Sequence, residues 1–394
     1  MTLITDTATL AAFCARLKAE AFVTVDTEFM RDRTYWPRLC LVQVGGEEEA
    51  AAVDPLAPGI DLAPLLGLMA DTAVVKVMHA ARQDLEIFFR LGRLPAPLFD
   101  SQVAAMVCGF GEEVAYDTLV AKLAKAQIDK SSRFTDWSRR PLTPAQVEYA
   151  LGDVTHLRTV YRALVAEIER RGRTGWVEEE LAGLTEPSNF EPPAEDAWKR
   201  LKIRTRDPRF VAIVQEMATW RELEARCRDL PRARIIRDDL LLEVAASKPA
   251  SVDDLRRLER VNVDRESAAG IVACVARALA IPKAELPKIP EAVQLPRGIG
   301  PGVDLLRVLL KQRCEAADVA QKLVANGADL EAIAMDDAAE VPALHGWRRE
   351  IFGEDALALK RGRLALAVGG KGVTVLAREG DGWRSAPAPA AAAS

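Results

Sequence analysis

Short apolar, β-branched runs dominate the first hundred residues. After an opening helix, FVTVDTEFM (22–30) reads as a strand over 22–28, LCLVQV (39–44) as a second, and a third ends near Val53. The turn at Gly45-Gly46 between the last two predicts a hairpin, so the three strands are expected to be antiparallel neighbours. Helix and strand then alternate. LAPLLGLMA predicts a helix, AVVKVMHA a buried strand, ARQDLEIFFRLG a helix and PLFDS a short strand, with more helices after it. The last of these starts at Pro144, a favourable first helical residue behind a Thr143 cap, and runs to about Arg171. The pattern predicts an α/β domain, a mixed sheet flanked by helices.

LTEPSNFEPPAED (184–196) has the proline and acidic content of a linker. Beyond it the periodicity is helical, interrupted by a second proline-rich stretch, IPKAELPKIPEAVQLPRGIGPG (281–302). Two small all-α units are therefore expected. They start alike, RCRDLPRARIIRDD (226–239) against RCEAADVAQKLVAN (313–326). Boundaries at 1–190, 205–285 and 295–375 follow, with a disordered tail over 380–394 ending in SAPAPAAAAS.

The net charge of −5 does not advertise a nucleic-acid binder. Averaging conceals three arginine-rich clusters: KSSRFTDWSRR (130–140), WKRLKIRTRDPR (198–209) and RELEARCRDLPRARIIR (221–237). Each alone reads as a solvated surface; together they suggest phosphate contact. Six cysteines without a CxxC pair suggest neither a disulfide framework nor a zinc site, and read as buried apolar residues. No signal peptide and no membrane-spanning run is visible, so a cytoplasmic protein is expected.

Charge inside the first strand is the anomaly. Asp26 and Glu28 lie two apart, on one face of an otherwise apolar strand. Unpaired carboxylates there cost several kcal/mol each, so a compensating cation is implied. Asp84 follows the buried strand just inside a helix, and Tyr149 and Asp153 lie four apart on one helical face. Convergence of four carboxylates and a tyrosine would make an oxygen-rich site for hard divalent cations. Each acid also has a plain alternative: Asp26 or Glu28 paired with Arg31 or Arg33, Asp84 at a helix N-terminus, Asp153 paired with Arg158. Tyr149 alone reads as core, and His79 and His156 as structural, with His79 near the site in sequence.

The order D-x-E, then Asp after a strand, then Y-x-x-x-D on a late helix resembles the DEDD superfamily of 3′–5′ exonucleases, in its tyrosine-bearing branch. FVTVDTEFMR, LCLVQVG, HAARQDLEIF, FDSQ (99–102) and DWSRRPLTPAQVEYALGDV are similar to the ribonuclease D family. The two helical units resemble the helicase-and-RNase-D C-terminal (HRDC) domains of that family, the second divergently. The resemblance implies a ribonuclease H-like fold and hydrolysis with two Mg²⁺ or Mn²⁺ ions. Asp26 would bridge them, Glu28 and Asp153 would complete the ion that holds the attacking water, and Asp84 would hold the other directly or through water. Tyr149, with an ordinary pKa of about 10, would stay neutral and orient the water or the phosphate. The expected substrate is RNA with a free 3′ end, notably precursor tRNA, giving 5′-mononucleotides. Ser132, Arg133, Asp136 and Trp137 are candidates for the terminal nucleotides, Arg on phosphate and Trp stacking; a loop packed on the core by Trp137 is the alternative. A DNA exonuclease would share every metal ligand, and a non-catalytic nucleic-acid-binding relic is the rival from outside enzymes. Neither helical unit carries catalytic residues, so the chemistry is expected to survive their removal.

Overall fold

The computed structural model describes residues 2–129, 132–133, 135–258, 260–261, 263–287, 296–370, 372–380 and 382–386. Its N-terminal part is a six-stranded mixed sheet in the order β1-β4-β3-β2-β5-β6. The elements in chain order are β1 (Thr2–Ile4), α1 (Thr7–Leu17), β2 (Phe22–Met30), β3 (Arg38–Gly45), β4 (Ala50–Val53), α2 (Ala63–Met69), β5 (Val75–Met78), α3 (Arg82–Arg90) and β6 (Leu98–Asp100). Helices α4 (Ser101–Val107), α5 (Tyr116–Leu119), α6 (Pro144–Arg170) and α7 (Thr174–Leu184) follow. β2–β3 and β3–β4 pair antiparallel, as the turn chemistry predicts, while β1–β4, β2–β5 and β5–β6 are parallel. Three-residue β1 is an addition to the expected strands. It is too short for a period-2 pattern to register.

Alternation along β2 sorts its side chains between two layers. Val23 and Val25 are fully buried in the core under α1, α2 and α3. Thr24, Asp26 and Glu28 point the other way, towards α6. The Thr24 hydroxyl donates to the Val154 carbonyl on α6 at 2.8 Å. Gly45 on β3 keeps that latch possible, since a Cβ there would lie 2.8 Å from the Thr24 Oγ1. α6 begins under a Thr143 cap, with Gln146 completing a capping box.

The two C-terminal helical units differ. α8 (Pro208–Cys227), α10 (Asp238–Ser247), α11 (Val252–Arg256) and α12 (Arg265–Ala280) enclose a core of their own, while Ile235 of α9 (Arg232–Ile235) packs with Tyr35 of the nuclease part. α13 (Gly300–Ala317), α14 (Gln321–Val324), α15 (Gly327–Met335) and short turns up to Lys360 instead share one core with α4, α6 and α7. Trp176 of α7 stacks on Trp347 at 4.3 Å. The second unit is also not all helical. Beyond Lys360, β7 (Leu364–Gly369), β8 (Gly372–Glu379) and β9 (Gly382–Ser385) form a three-stranded antiparallel sheet. β9 falls inside the stretch expected to be a disordered tail; residues 387–394 of that stretch lie outside the described residues. Residues 288–295 of the second proline-rich stretch also lie outside them. Five of the six cysteines are buried, and Cys227 is exposed. Among the described residues, no helix is long and apolar enough to cross a membrane.

Candidate active site

The face of β2 that carries Asp26 and Glu28 meets α6 at Asp153. A carboxylate oxygen from each of the three lies within 4.8 Å of the others. The backbone holds them there from several directions. The Thr24–Val154 latch fixes α6 just after Asp153, and the Tyr116 hydroxyl donates to the Gly152 carbonyl just before it, at 3.2 Å. At the far end of α6's approach, Arg140 grips Asp54 with two hydrogen bonds of 2.7 Å and reaches the Cys40 carbonyl. A register shift between Glu28 and Phe29 interrupts the pairing of β2 with β3 immediately past the site, and it resumes at Phe29–Leu39.

Asp84 stands beside this trio rather than within it. Thr27, between the two strand acids, points to the opposite layer and donates its hydroxyl to Asp84. Asp84 is buried, and its charge and those of Asp26 and Glu28 act on one another, but it is not one of the three oxygens that lie within 4.8 Å of each other. The cluster opens into a cleft of about 500 Å³. Tyr149, Arg133, His79, Gln102 and Tyr116 line it as well.

The electrostatics are those of crowded acids. Burial and then the Asp153 charge push Asp26 well above the usual carboxylate range. Burial, then Asp26, Asp153 and Asp84, push Glu28 up to about 9, against the pull of Arg133. Burial raises Asp153 to about 7, with Arg133 opposing, and burial with the Asp26 charge raises Asp84. Tyr149 moves up too, through burial and the neighbouring acids, so its hydroxyl remains protonated. A donor set of several anionic oxygens that cannot all ionise together fits hard divalent cations. Asp26, Glu28 and Asp153 are the residues that could hold one directly.

The loop before α6 divides its candidates. Arg133 is exposed and faces the cleft. Trp137 does not offer a stacking face: only 2% exposed, it packs on Val147, Ala150 and Leu151 beneath Tyr149, with ring centroids 6.0 Å apart. Ser132 is buried, and its carbonyl accepts from Thr135 N and Oγ1 at 3.2 and 2.9 Å. Asp136 accepts from Ser138 within the loop. Sequence reasoning missed Tyr116 and Gln102 on the far wall. The FDSQ run containing Gln102 was a usable signal, whereas nothing in the pattern around Tyr116 marks it. His79 meets Tyr116 and the neighbour of Gln102: its Nδ1 lies 2.9 Å from Ser101 Oγ and its ring 5.4 Å from Tyr116, and burial holds its pKa down.

Comparison with known proteins gives the family. Residues 1–169 match the family model for a 3′–5′ exonuclease, and residues 211–266 match that for an HRDC domain. Ribonuclease D of Jannaschia sp. is 52% identical, the alignment covering 95% of this chain and 98% of the relative. That of Gluconacetobacter diazotrophicus is 51% identical over 93% and 95%. The crystal structure of Escherichia coli RNase D, an exoribonuclease involved in structured RNA processing, superposes with a TM-score of 0.78 at 30% identity, covering 92% of this chain and 98% of that one. The chain belongs to the ribonuclease D family of 3′–5′ exoribonucleases.

Proposed function

We propose that the protein trims RNA from a free 3′ end by two-metal-ion hydrolysis, releases 5′-mononucleotides, and acts in the cytoplasm on the 3′ ends of precursor tRNA. One observation carries the reading: three carboxylates within 4.8 Å of one another, each raised in pKa, at the floor of a cleft. Two divalent cations, Mg²⁺ or Mn²⁺, would supply hydroxide at neutral pH and relieve charge on the leaving oxygen. Asp26, between Glu28 and Asp153, is the residue suited to bridging, and Asp84 would serve the second ion through water or directly. The protonated Tyr149 hydroxyl donates to the attacking water or the scissile phosphate and thereby orients it. Arg133, exposed at the cleft, pairs with the same phosphate and offsets charge that develops there. The choice of precursor tRNA is supported by the HRDC unit and by the E. coli relative's work on structured RNA.

The test is digestion of 3′-labelled precursor tRNA, with matched single-stranded RNA and DNA, in Mg²⁺, Mn²⁺ or EDTA. Mononucleotides should appear from the RNA 3′ end only with metal. Turnover in EDTA, or DNA digested as fast as RNA, would sink this reading.

A further inference from the structure

A second cleft, of about 310 Å³, lies where the first helical unit meets the nuclease sheet. Arg31, Trp36, Arg82 and Glu86 come to it from the nuclease side, Arg200 and Arg232 from the other. Four guanidinium groups thus face one carboxylate. Two of the four are already engaged. Arg31 makes a bidentate pair with Glu86, and Arg232 is held by Glu222 and Tyr35. Arg82 and Arg200 are exposed and, among the described residues, have no hydrogen-bond or ion-pair partner. Uncompensated guanidinium forks converging on one cleft match the geometry of phosphate oxygens. Beside them Trp36 carries Arg90 over its ring at 3.8 Å, extending the cationic surface.

The cleft is joined to the catalytic elements by short covalent steps. Arg31 lies three residues beyond Glu28 on the same chain segment, and Arg82 two residues before Asp84 in the first turn of α3. Past Arg200 the chain continues through Lys202, Arg204 and Arg206, all exposed and likewise without partners among the described residues. The third arginine-rich cluster, by contrast, spends Arg226 and Arg232 on Glu222. We infer that this seam is a phosphate-binding site for RNA: Arg82 and Arg200 hold backbone phosphates of a strand whose 3′ end occupies the carboxylate cleft, and the 202–206 segment continues the track. The inference rests on the exoribonuclease reading of that cleft.

The test is equilibrium binding of single-stranded RNAs, from two to about twelve nucleotides, to the full-length protein in EDTA, across a salt series. Wild-type affinity should step up once the strand is long enough to reach the seam. The double variant Arg82→Ala/Arg200→Ala should lack the step, bind the longest RNA roughly tenfold more weakly, and show a salt slope smaller by about 1.4, since each single-strand phosphate contact contributes about 0.7. Neither side chain supports the fold, so melting temperatures should coincide with wild type. If the double variant melts early through damage to α3, Arg200→Ala alone should still reduce the slope by about 0.7. Unchanged affinity and slope in the variants would overturn the seam site. Addition of Mg²⁺ to the wild-type complex separates the two readings: RNA that binds with the seam step but is not shortened would sink the exonuclease assignment instead.

Discussion

Two acidic centres in this molecule, one half-buried and one buried, behave in opposite ways. In the cleft, Asp26, Glu28 and Asp153 face one another with Arg133 as the nearby cation, and all three are pushed towards protonation. At the seam with the first helical unit, Glu222 is 1% exposed. Burial pushes it up as well, but hydrogen bonds from Arg232, Tyr35 and Arg226 outweigh that and hold it at about 2. The Glu222 centre is finished: the charge that folding buries there is matched by countercharges supplied by the chain. The cleft is unfinished by the same measure. Its acids are folded into place at the expense of stability, and a ligand from solution has to complete them.

The largest effect that would break this comparison is on turnover. Asp26→Asn or Asp153→Asn should reduce hydrolysis by roughly 10⁴-fold or more, as loss of one member of a cooperating constellation does. The same substitutions should raise the melting temperature of the metal-free protein, because they remove like-charge repulsion, and should abolish the stabilisation that Mg²⁺ gives wild type. A variant that keeps near wild-type turnover would show that the acids are structural after all. Tyr149→Phe is milder. It preserves packing on Trp137 and removes one donor, so a single-turnover rate loss of roughly 10²–10⁴-fold is expected with RNA affinity little changed. An undiminished rate would return Tyr149 to the core.

Glu222→Gln sharpens the contrast from the other side. It leaves Arg226 and Arg232 facing a neutral amide, and breaking a buried pair costs about 3–5 kcal/mol. Arg232 keeps 35% of its side chain in solvent, which brings the expectation to about 2–3 kcal/mol. Chemical denaturation should show that loss, with single-turnover cleavage of a dinucleotide little affected. Stabilisation by Glu222→Gln would mean that the seam acid, like those of the cleft, is a burden.

What the sequence reveals of these two centres follows from how locally each is encoded. Strand β2, the β3–β4 hairpin and the late helix were legible because alternation, a Gly-Gly turn and a Thr-Pro cap are all written within a few residues. The cleft acids were legible because carboxylates two apart on an apolar strand violate the local pattern. Asp84 was located but not its partner, the Thr27 hydroxyl, which lies 57 residues away. Trp137 was assigned to stacking or to core with nothing in the loop to choose between them. The seam was illegible. Glu222 looks like any helix-surface acid, and its partner Tyr35 lies 187 residues away.

The same limit explains the C-terminal units. Their similar starts suggested equivalence, yet a periodic apolar face states only that something covers it. For α8 and α12 the cover is their own unit, and for α13 it is α4, α6 and α7. Removal of both units would thus strip Leu309, Trp347 and Phe352 from the core they share with α4, α6 and α7. Strands β7 to β9 could have been read from their turns, where Gly370 and Gly380 take positive φ. The apparent helical repeat masked them.

The smallest predicted effect is a pair of opposite pH slopes. Glu28 has an ordinary pKa of 4.5 and is raised to about 9 in the fold, so between those values the native state holds a proton that the unfolded chain releases. Stability of the metal-free protein should therefore fall as pH rises from about 4.5 to 9, with Asp153 contributing up to about 7. Glu222 is lowered from 4.5 to about 2, so the unfolded chain binds the extra proton. Its contribution is complete above about 4.5 and is lost as pH falls towards 2. Thermal unfolding in EDTA should accordingly be most favourable to the fold near pH 5 as far as these groups decide it. Asp26→Asn should flatten the alkaline limb by easing Glu28, and Glu222→Gln should flatten the acid limb alone. Mg²⁺ displaces protons from the cleft, so its stabilisation should grow with pH and remove most of the alkaline decline. An alkaline limb that is unchanged by both Mg²⁺ and Asp26→Asn would show that the cleft acids are not the groups left waiting for a cation.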